Sequence, residues 1–318
     1  MIFGFIGLLA TAFSPTIDNI RAQAVAIEPL VKSRLAKEWL AGAKTLPEPT
    51  PRTLHRGQAL LTQAEYDALD AEAKSKVRNV PVDAAIYYNT KYGTPIAYAR
   101  AVDLTASFGI KSLKGKKVMD FGYGGIGQLR LFASCGAHAV GVDVDPFLTI
   151  LYSLPEDTGR YQRGSVQLVN GRFPAEASVT NQVGGGYDLI ISKNTLKQGY
   201  IHPQRPAKPT DLIDLGVSDE AFLEAVHHAL KPGGLLVIYN LCPAQAPLDK
   251  PYIPWADGQS PFTKEQFEKA GLEVLAMNTP DDEFARNMAH AFGWDQGAHP
   301  MDVAKDLFTW YTVVRRTK

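Results

Sequence analysis

Asp120-Phe121-Gly122-Tyr123-Gly124-Gly125-Ile126-Gly127 decides the fold of this chain. The apolar run Val118 to Phe121 reads as a short buried strand leading into it. Behind it, Leu129, Phe132 and Ala133 recur at helical spacing and are closed by Gly136. The glycines therefore sit where a strand becomes a helix. There they allow a tight turn and close backbone approach, in front of the free N–H groups of a helix N-terminus. A second strand, His138 to Val142, ends on Asp143, 16 residues beyond Gly127. A carboxylate at that point can accept both hydroxyls of a ribose. The turn and the acid together read as a nucleoside-binding site.

The same texture continues to the C-terminus. Val166 to Val169, Tyr187 to Ile191, Leu235 to Tyr239, Leu272 to Met277 and Phe308 to Val314 read as strands. Between them, Phe222, Ala225, Val226 and Ala229 make a helical stripe after Ser218, and Thr263 to Gln266 is a capping box. Thr279-Pro280-Asp281-Asp282 reads as an N-cap, a first-turn proline and acids opening a helix lined by Phe284, Met288, Ala291 and Phe292. Strands separated by helices require crossover connections, hence a mostly parallel sheet covered on both faces. The expected fold is α/β and Rossmann-like.

Upstream, residues 15–105 read as a mainly helical extension. Val31, Leu35 and Trp39 share a helical face, a Pro-rich connector follows at Pro47, Pro49 and Pro51, and Thr62 to Glu65 is a capping box. Residues 106–318 form the sheet domain. Residues 1–14, MIFGFIGLLATAFS, are apolar and uncharged. They fall short of the roughly 20 apolar residues that span a bilayer. They read as a segment packed on the domain or, through Ala10-Thr11-Ala12, as a signal remnant. The missing positive n-region and the intracellular supply of nucleoside cofactors favour a cytoplasmic protein.

Composition excludes other classes. Lys+Arg number 33 and Asp+Glu 33 among 318 residues, so no basic surplus exists to neutralise a nucleic-acid backbone. An apolar fraction of 45% fills a core and excludes a disordered chain. Two cysteines, Cys135 and Cys242, give at most one bridge and no disulfide framework. No metal-ligand spacing and no G-x-S-x-G elbow occur.

Gly122, Gly124 and Gly127 satisfy G-x-G-x-x-G, the pattern of an NAD-dependent oxidoreductase. Asp120 opposes that reading, because an acid two residues before the first glycine repels a pyrophosphate and suits a cationic ligand. With Val118-Met119-Asp120-Phe121-Gly122-Tyr123-Gly124, Gly141-Val142-Asp143-Val144-Asp145, Tyr187-Asp188-Leu189-Ile190-Ile191-Ser192 and the Leu230-Lys231-Pro232-Gly233-Gly234 turn, residues 105–318 resemble the class I S-adenosylmethionine-dependent methyltransferases. The resemblance implies a seven-stranded sheet with an antiparallel last strand, S-adenosylmethionine as cofactor, and a small-molecule or peptide-like acceptor. It places Asp120, Gly122, Tyr123, Gly124 and Gly127 around the methionine part and Asp143 on the ribose. It implies that Ser192 and Lys193 flank the methionine part and the reacting centre, and that Tyr88, in the aromatic Tyr87 to Tyr92 loop, caps the cofactor; ordinary packing of the N-terminal region on the sheet is the other reading of that loop.

Three positions depart from that pattern. Ile126 displaces the third glycine. Arg172 stands where many members place an acid on the adenine amine. Ser192-Lys193-Asn194-Thr195 replaces the Asn/Asp-Pro-Pro-aromatic signature of amide and adenine N-methylation. The first two also motivate a non-catalytic binding protein on the same fold. His202, with Tyr200 beside it after the fourth strand, is the candidate proton acceptor; a surface-loop histidine is the plainer reading. Trp255 is a candidate wall of the acceptor site, or a loop anchor.

Overall fold

The computed structural model describes residues 17–317. The apolar Met1–Ser14 segment lies outside the described residues. Helices α1 (Ile17–Ile27) and α2 (Arg34–Ala41) open the described chain. Strands β1 (Thr53–Arg56), β2 (Leu60–Leu61) and β3 (Arg78–Pro81) follow, with the short helices α3 (Gln63–Asp67) and α4 (Ala71–Ser75) between the last two. Then come α5 (Ala84–Tyr88) and α6 (Ala99–Ser107). The sheet domain runs β4 (Lys117–Phe121), α7 (Ile126–Ser134), β5 (His138–Asp143), α8 (Pro146–Leu151), β6 (Gly159–Tyr161), β7 (Gly164–Asn170), α9 (Ala177–Val183) and β8 (Tyr187–Lys193). It continues with α10 (Gln198–Ile201), α11 (Asp219–Ala229), β9 (Leu230–Cys242), α12 (Lys264–Lys269), β10 (Leu272–Pro280), α13 (Asp282–Ala291), α14 (Val303–Asp306) and β11 (Phe308–Arg316).

The main sheet has the order β10-β11-β9-β8-β4-β5-β7-β6. Its centre is parallel, and β11 runs antiparallel to both its neighbours. The expected α/β fold is present, with one strand more than the seven expected. The extra strand, β6, is a three-residue edge hairpin on β7, too short to leave a pattern in the sequence. Period-two alternation sends Val118, Leu189, Ile191, Leu235 and Val237 into one core and Met119, Ile190, Leu236 and Ile238 into the other. Central strands buried on both faces read as continuous apolar runs for this reason. Among the described residues, no helix is long and apolar enough to cross a membrane.

One expectation gains a detail and another needs correction. The mainly helical region 15–105 also carries a small antiparallel sheet, β1 to β3, in which Leu54 faces Val80 and Thr53 faces Pro81. It packs directly on the sheet domain. Ile17, Ile20, Leu35, Trp39 and Leu40 share one core with Val118, Leu131, Phe132 and Leu189. Asp103 ties the α1–α2 junction to α6 by accepting from the amides of Lys32 (3.1 Å) and Ser33 (2.6 Å). Further along, Thr279 and Pro280 belong to β10, opposite Tyr311 and Trp310, and α13 begins at Asp282. A proline is tolerated there because β10 is an edge strand whose outer amides need no partner.

The capping box predicted at Thr263 is present. Thr263 Oγ1 accepts from the Gln266 amide at 3.2 Å, and Gln266 Oε1 accepts from the Thr263 amide at 2.8 Å. Replacing Thr263 by Ala removes one acceptor from the first turn of α12 and is expected to cost about 1 kcal/mol. Urea unfolding read at Trp fluorescence checks it, and an unchanged midpoint contradicts the cap's role.

Candidate functional site

The glycine turn satisfies its own amides. Gly122 N–H donates to Val142 O (2.8 Å), Gly124 N–H to Asp143 Oδ2 (2.9 Å) and Gly125 N–H to Tyr123 O (2.7 Å). The first amide of α7, Ile126 N–H, donates to the Tyr152 hydroxyl at 3.0 Å, and that hydroxyl donates to Tyr87 O at 2.7 Å. Gly122 and Gly124 have φ of +70° and +60°, a region in which a Cβ is strained. At Gly125 and Gly127 close approach is the reason for glycine. A Cβ on Gly125 would lie 2.6 Å from Asn89 O, and one on Gly127 would lie 2.5 Å from Tyr88 O. Thr195 Oγ1 packs in the same way on Gly122. The chain itself fills the spaces beside this helix end. A pyrophosphate would not meet a free Ile126 amide, and the carbonyls of Tyr88 and Asn89 lie close to Gly127 and Gly125.

The end of β5, where the resemblance implies a ribose, differs. Asp143 ends β5 half-buried, with Oδ2 on the Gly124 amide and Oδ1 on the Asp145 amide at 3.0 Å. Each carboxylate oxygen keeps a second lone pair. Burial pushes the Asp143 carboxyl up, and the two backbone amides pull it back. Val144 beside it is 57% exposed and presents an apolar side chain at this edge. Asn170, ending β7, braces the loop by donating to the carbonyls of Asp143 (3.1 Å) and Asp145 (3.0 Å). Arg172 turns to Asp214 at 3.2 Å.

Asp120 is fully buried and already has a cation. Lys193 Nζ donates to its Oδ1 at 2.8 Å, to its Oδ2 at 2.7 Å and to Tyr123 O at 2.9 Å, which uses all three ammonium protons. Burial pushes the Asp120 carboxyl up, and the Lys193 ammonium opposes it. The acid that reads in the sequence as a partner for a cationic ligand is compensated inside the protein. Ser192 is equally buried, and its hydroxyl accepts from the Leu196 amide at 3.3 Å.

The aromatic segment divides between anchoring and covering. Tyr88 is fully buried; its hydroxyl donates to Pro47 O (2.6 Å) and accepts from Arg130 (3.0 Å). Tyr87 accepts from Arg130 (2.7 Å) and donates to Asp157 (2.6 Å), which also takes Arg52. These two rings fasten the segment, and its Asn89 and Thr90 lie on the glycine turn. Tyr92 reaches across to Tyr200, and the two hydroxyls share a hydrogen bond. Tyr98 accepts from Asn194 Nδ2 at 2.8 Å.

No family model matches this chain, and no curated protein does. Solved structures do resemble it. A methyltransferase from Geobacter sulfurreducens, S-adenosylmethionine-dependent and in complex with S-adenosylhomocysteine, has 16% identity and a TM-score of 0.41, over 73% of this chain and 94% of that one. The 1,6-didemethyltoxoflavin-N1-methyltransferase of Burkholderia thailandensis has 16% identity and a TM-score of 0.38, over 70% and 78%. A third methyltransferase, from Thiobacillus denitrificans, has 12% identity and a TM-score of 0.37, over 68% and 90%. These overlaps concern the course of the chain, and the reading of the site rests on its own geometry.

His202 lies apart from the contacts that join the turn, Asp143 and Lys193. Its side chain is 45% exposed, and Nε2 meets Asp219 at 2.9 Å on the lip of a groove of about 600 Å3 lined by Ile201, Leu212, Ile213 and Val217. Tyr200 is buried and enters the site through Tyr92. Trp255 contributes its carbonyl, which accepts from Lys197 Nζ at 2.9 Å. The sequence reading passed over Lys197 and Arg130 and gave Asn194 no role of its own. Burial pulls the Lys197 ammonium down to about 8. Its only sequence signal is a charge four residues beyond Lys193, just after an apolar strand. Both cysteines are free and buried, which raises the thiols and makes them poor nucleophiles. Among the described residues, no cluster of three or more His, Cys, Asp or Glu is placed to hold a metal.

Proposed function

We propose that the protein is an S-adenosylmethionine-dependent methyltransferase acting on a small-molecule or peptide-like acceptor. One observation carries this: the Asp143 carboxylate keeps free lone pairs at the end of β5, beside a helix whose first amide is already spent on Tyr152. Asp143 keeps lone pairs for two hydroxyls, while Ile126 N–H is spent on Tyr152 and the Tyr88 and Asn89 carbonyls occupy the space beside the glycines. A nucleoside without a pyrophosphate matches that combination better than a dinucleotide.

Asp143 would hold the ribose, Val144 would cover one face of the base, and the carbonyl-rich turn at Gly122 to Gly124 would receive the amino-acid end. When bound, S-adenosylmethionine supplies an electrophilic methyl group on sulfonium. The chain's own contribution is positioning and exclusion of water, through the Asn89 to Gly93 cover and the aromatic rings of Tyr92 and Tyr98. Lys193 compensates Asp120, so neither brings a net charge to the cofactor. No base is assigned to the step, since Tyr92 and Tyr200 are held protonated by burial and His202 stands outside these contacts.

Isothermal titration tests the reading: S-adenosylhomocysteine is expected to bind, and NAD is expected to give no heat. Binding of NAD without S-adenosylhomocysteine reverses it in favour of an oxidoreductase. A second reading, a binding protein without turnover, is favoured by how completely the chain covers its own glycine turn. Cofactor binding with no methyl transfer to any cell extract by mass spectrometry would support that one.

A further inference from the structure

Among the described residues two lysines are buried, Lys193 and Lys197. Their surroundings differ in one respect. Lys193 has Asp120 as counter-ion at 2.7 Å. Lys197 has carbonyls instead: Nζ donates to Leu241 O at 2.7 Å and to Trp255 O at 2.9 Å, and no carboxylate pairs with it among the described residues. Asp257 acts on it only through its field, being engaged by the Tyr252 hydroxyl at 2.8 Å. A buried ammonium without a compensating anion carries a large desolvation penalty. Neutral carbonyls offset only part of that, and they account for two of its three protons.

The rest of the cluster has the same polarity. Lys197 Nζ lies 5.4 Å from the Tyr92 ring centroid and 5.8 Å from that of Tyr200. Lys91 Nζ lies 5.2 Å and 5.8 Å from the same two rings. Two cations thus share one aromatic pair and repel each other through it. The Tyr92 and Tyr200 hydroxyls bond to each other, which spends one phenolic proton and leaves one to donate elsewhere. The cluster also adjoins the candidate cofactor site. Tyr92 N–H donates to Thr90 Oγ1, whose side chain packs on Gly124, and Lys197 N–H donates to the carbonyl of Thr195, whose side chain packs on Gly122.

We propose that Lys197, with Lys91 and the Tyr92–Tyr200 hydroxyl pair, forms a carboxylate-binding site beside the glycine turn, entered when the Asn89–Gly93 cover lifts with Tyr92. An anionic oxygen there takes the third Lys197 proton and the free phenolic proton and removes the repulsion between the two lysines. Lys193 cannot substitute, because its three protons are spent. The site deepens the methyltransferase reading and rests on it for the source of the carboxylate, which is either the amino-acid end of the cofactor or the acceptor itself.

The test uses the full chain and its Lys197→Met variant, titrated with S-adenosylhomocysteine, with 5′-methylthioadenosine, which lacks the amino-acid end, and with benzoate. Loss of S-adenosylhomocysteine affinity by roughly tenfold or more in Lys197→Met, with 5′-methylthioadenosine unchanged, supports the site and assigns it to the cofactor. Both nucleosides unchanged, with benzoate bound by the wild type and not by the variant, supports it and assigns it to the acceptor. Unchanged nucleosides together with benzoate that binds neither protein, or both equally, overturn it. If the wild type binds neither nucleoside, the methyltransferase reading fails on its own, and benzoate alone decides the site. A Lys91→Met, Tyr92→Phe double variant on the cover weakens the same ligand several-fold, which keeps the proposal testable should Lys197→Met misfold.

Discussion

Replacing Lys193 by Met is expected to destabilise the protein by about 3–5 kcal/mol, because it leaves the Asp120 carboxylate buried without its cation. At about 2–4 °C per kcal/mol for a large domain, the melting temperature falls by roughly 6–20 °C. Tyr123 O also loses one of its two donors and keeps the Gly125 amide, so the turn between β4 and α7 is held less firmly. Adding Asp120→Asn to Lys193→Met removes the stranded charge and restores a large part of the loss, whereas independent sites would show additive costs. The pH dependence has a definite sign. Without Lys193, burial holds the folded-state value of Asp120 above its unfolded value, so the folded state binds the extra proton. The destabilisation is then present at neutral pH and is relieved as the pH falls through the folded-state value. Thermal melts at several pH values check this, and a single variant that melts within 1–2 °C of wild type, roughly, contradicts the pair's assigned weight.

That pair also shows where sequence reasoning stops. Asp120 and Lys193 each stand out as residues at strand ends, yet their partnership spans 73 positions and leaves no periodicity. The strands, the glycine turn and Asp143 were legible because each is a local pattern: an apolar run, a glycine spacing, an acid at a strand end. What fills the space beside the glycines was not. Glycine reports that something approaches closely, and here the Asn89 and Tyr88 carbonyls approach Gly125 and Gly127. Tyr88 shows the same limit. An aromatic loop before the sheet domain is visible in the sequence, but its Tyr88 hydroxyl turns to Arg130 and Pro47, and Tyr92 faces Tyr200. The surface that residues 17–105 meet stayed unnamed for a related reason, since Trp39 packs near Phe132 on α7 and helix amphipathicity does not name its partner. Strands β1 to β3 escaped because four residues or fewer cannot establish an alternation.

The proposed nucleoside site makes the sharpest demand on Asp143. Replacing it by Asn is expected to weaken S-adenosylhomocysteine by roughly 100-fold, because two charge-assisted hydrogen bonds to ribose hydroxyls become at best one neutral bond. The substitution also sets an amide NH2 against the amide of Gly124 or of Asp145, so some stability is lost with it. A loss of affinity alone would therefore not separate contact from scaffold. The discriminating measurement compares 5′-methylthioadenosine with its 2′,3′-dideoxy analogue in both proteins. If Asp143 touches the ribose, the wild type prefers the hydroxylated ligand strongly and Asp143→Asn loses most of that preference. If Asp143 only holds the turn, both ligands weaken equally and the preference persists. Lys197→Met provides the converse: it is expected to leave 5′-methylthioadenosine untouched, since that ligand lacks the carboxylate end. The wild-type affinity should also fall at low pH, because the ribose bonds need the ionised carboxylate and burial places its protonation above the usual carboxyl range. An Asp143→Asn variant should lack that acid limb, so the two pH profiles converge as the wild-type carboxylate takes up its proton.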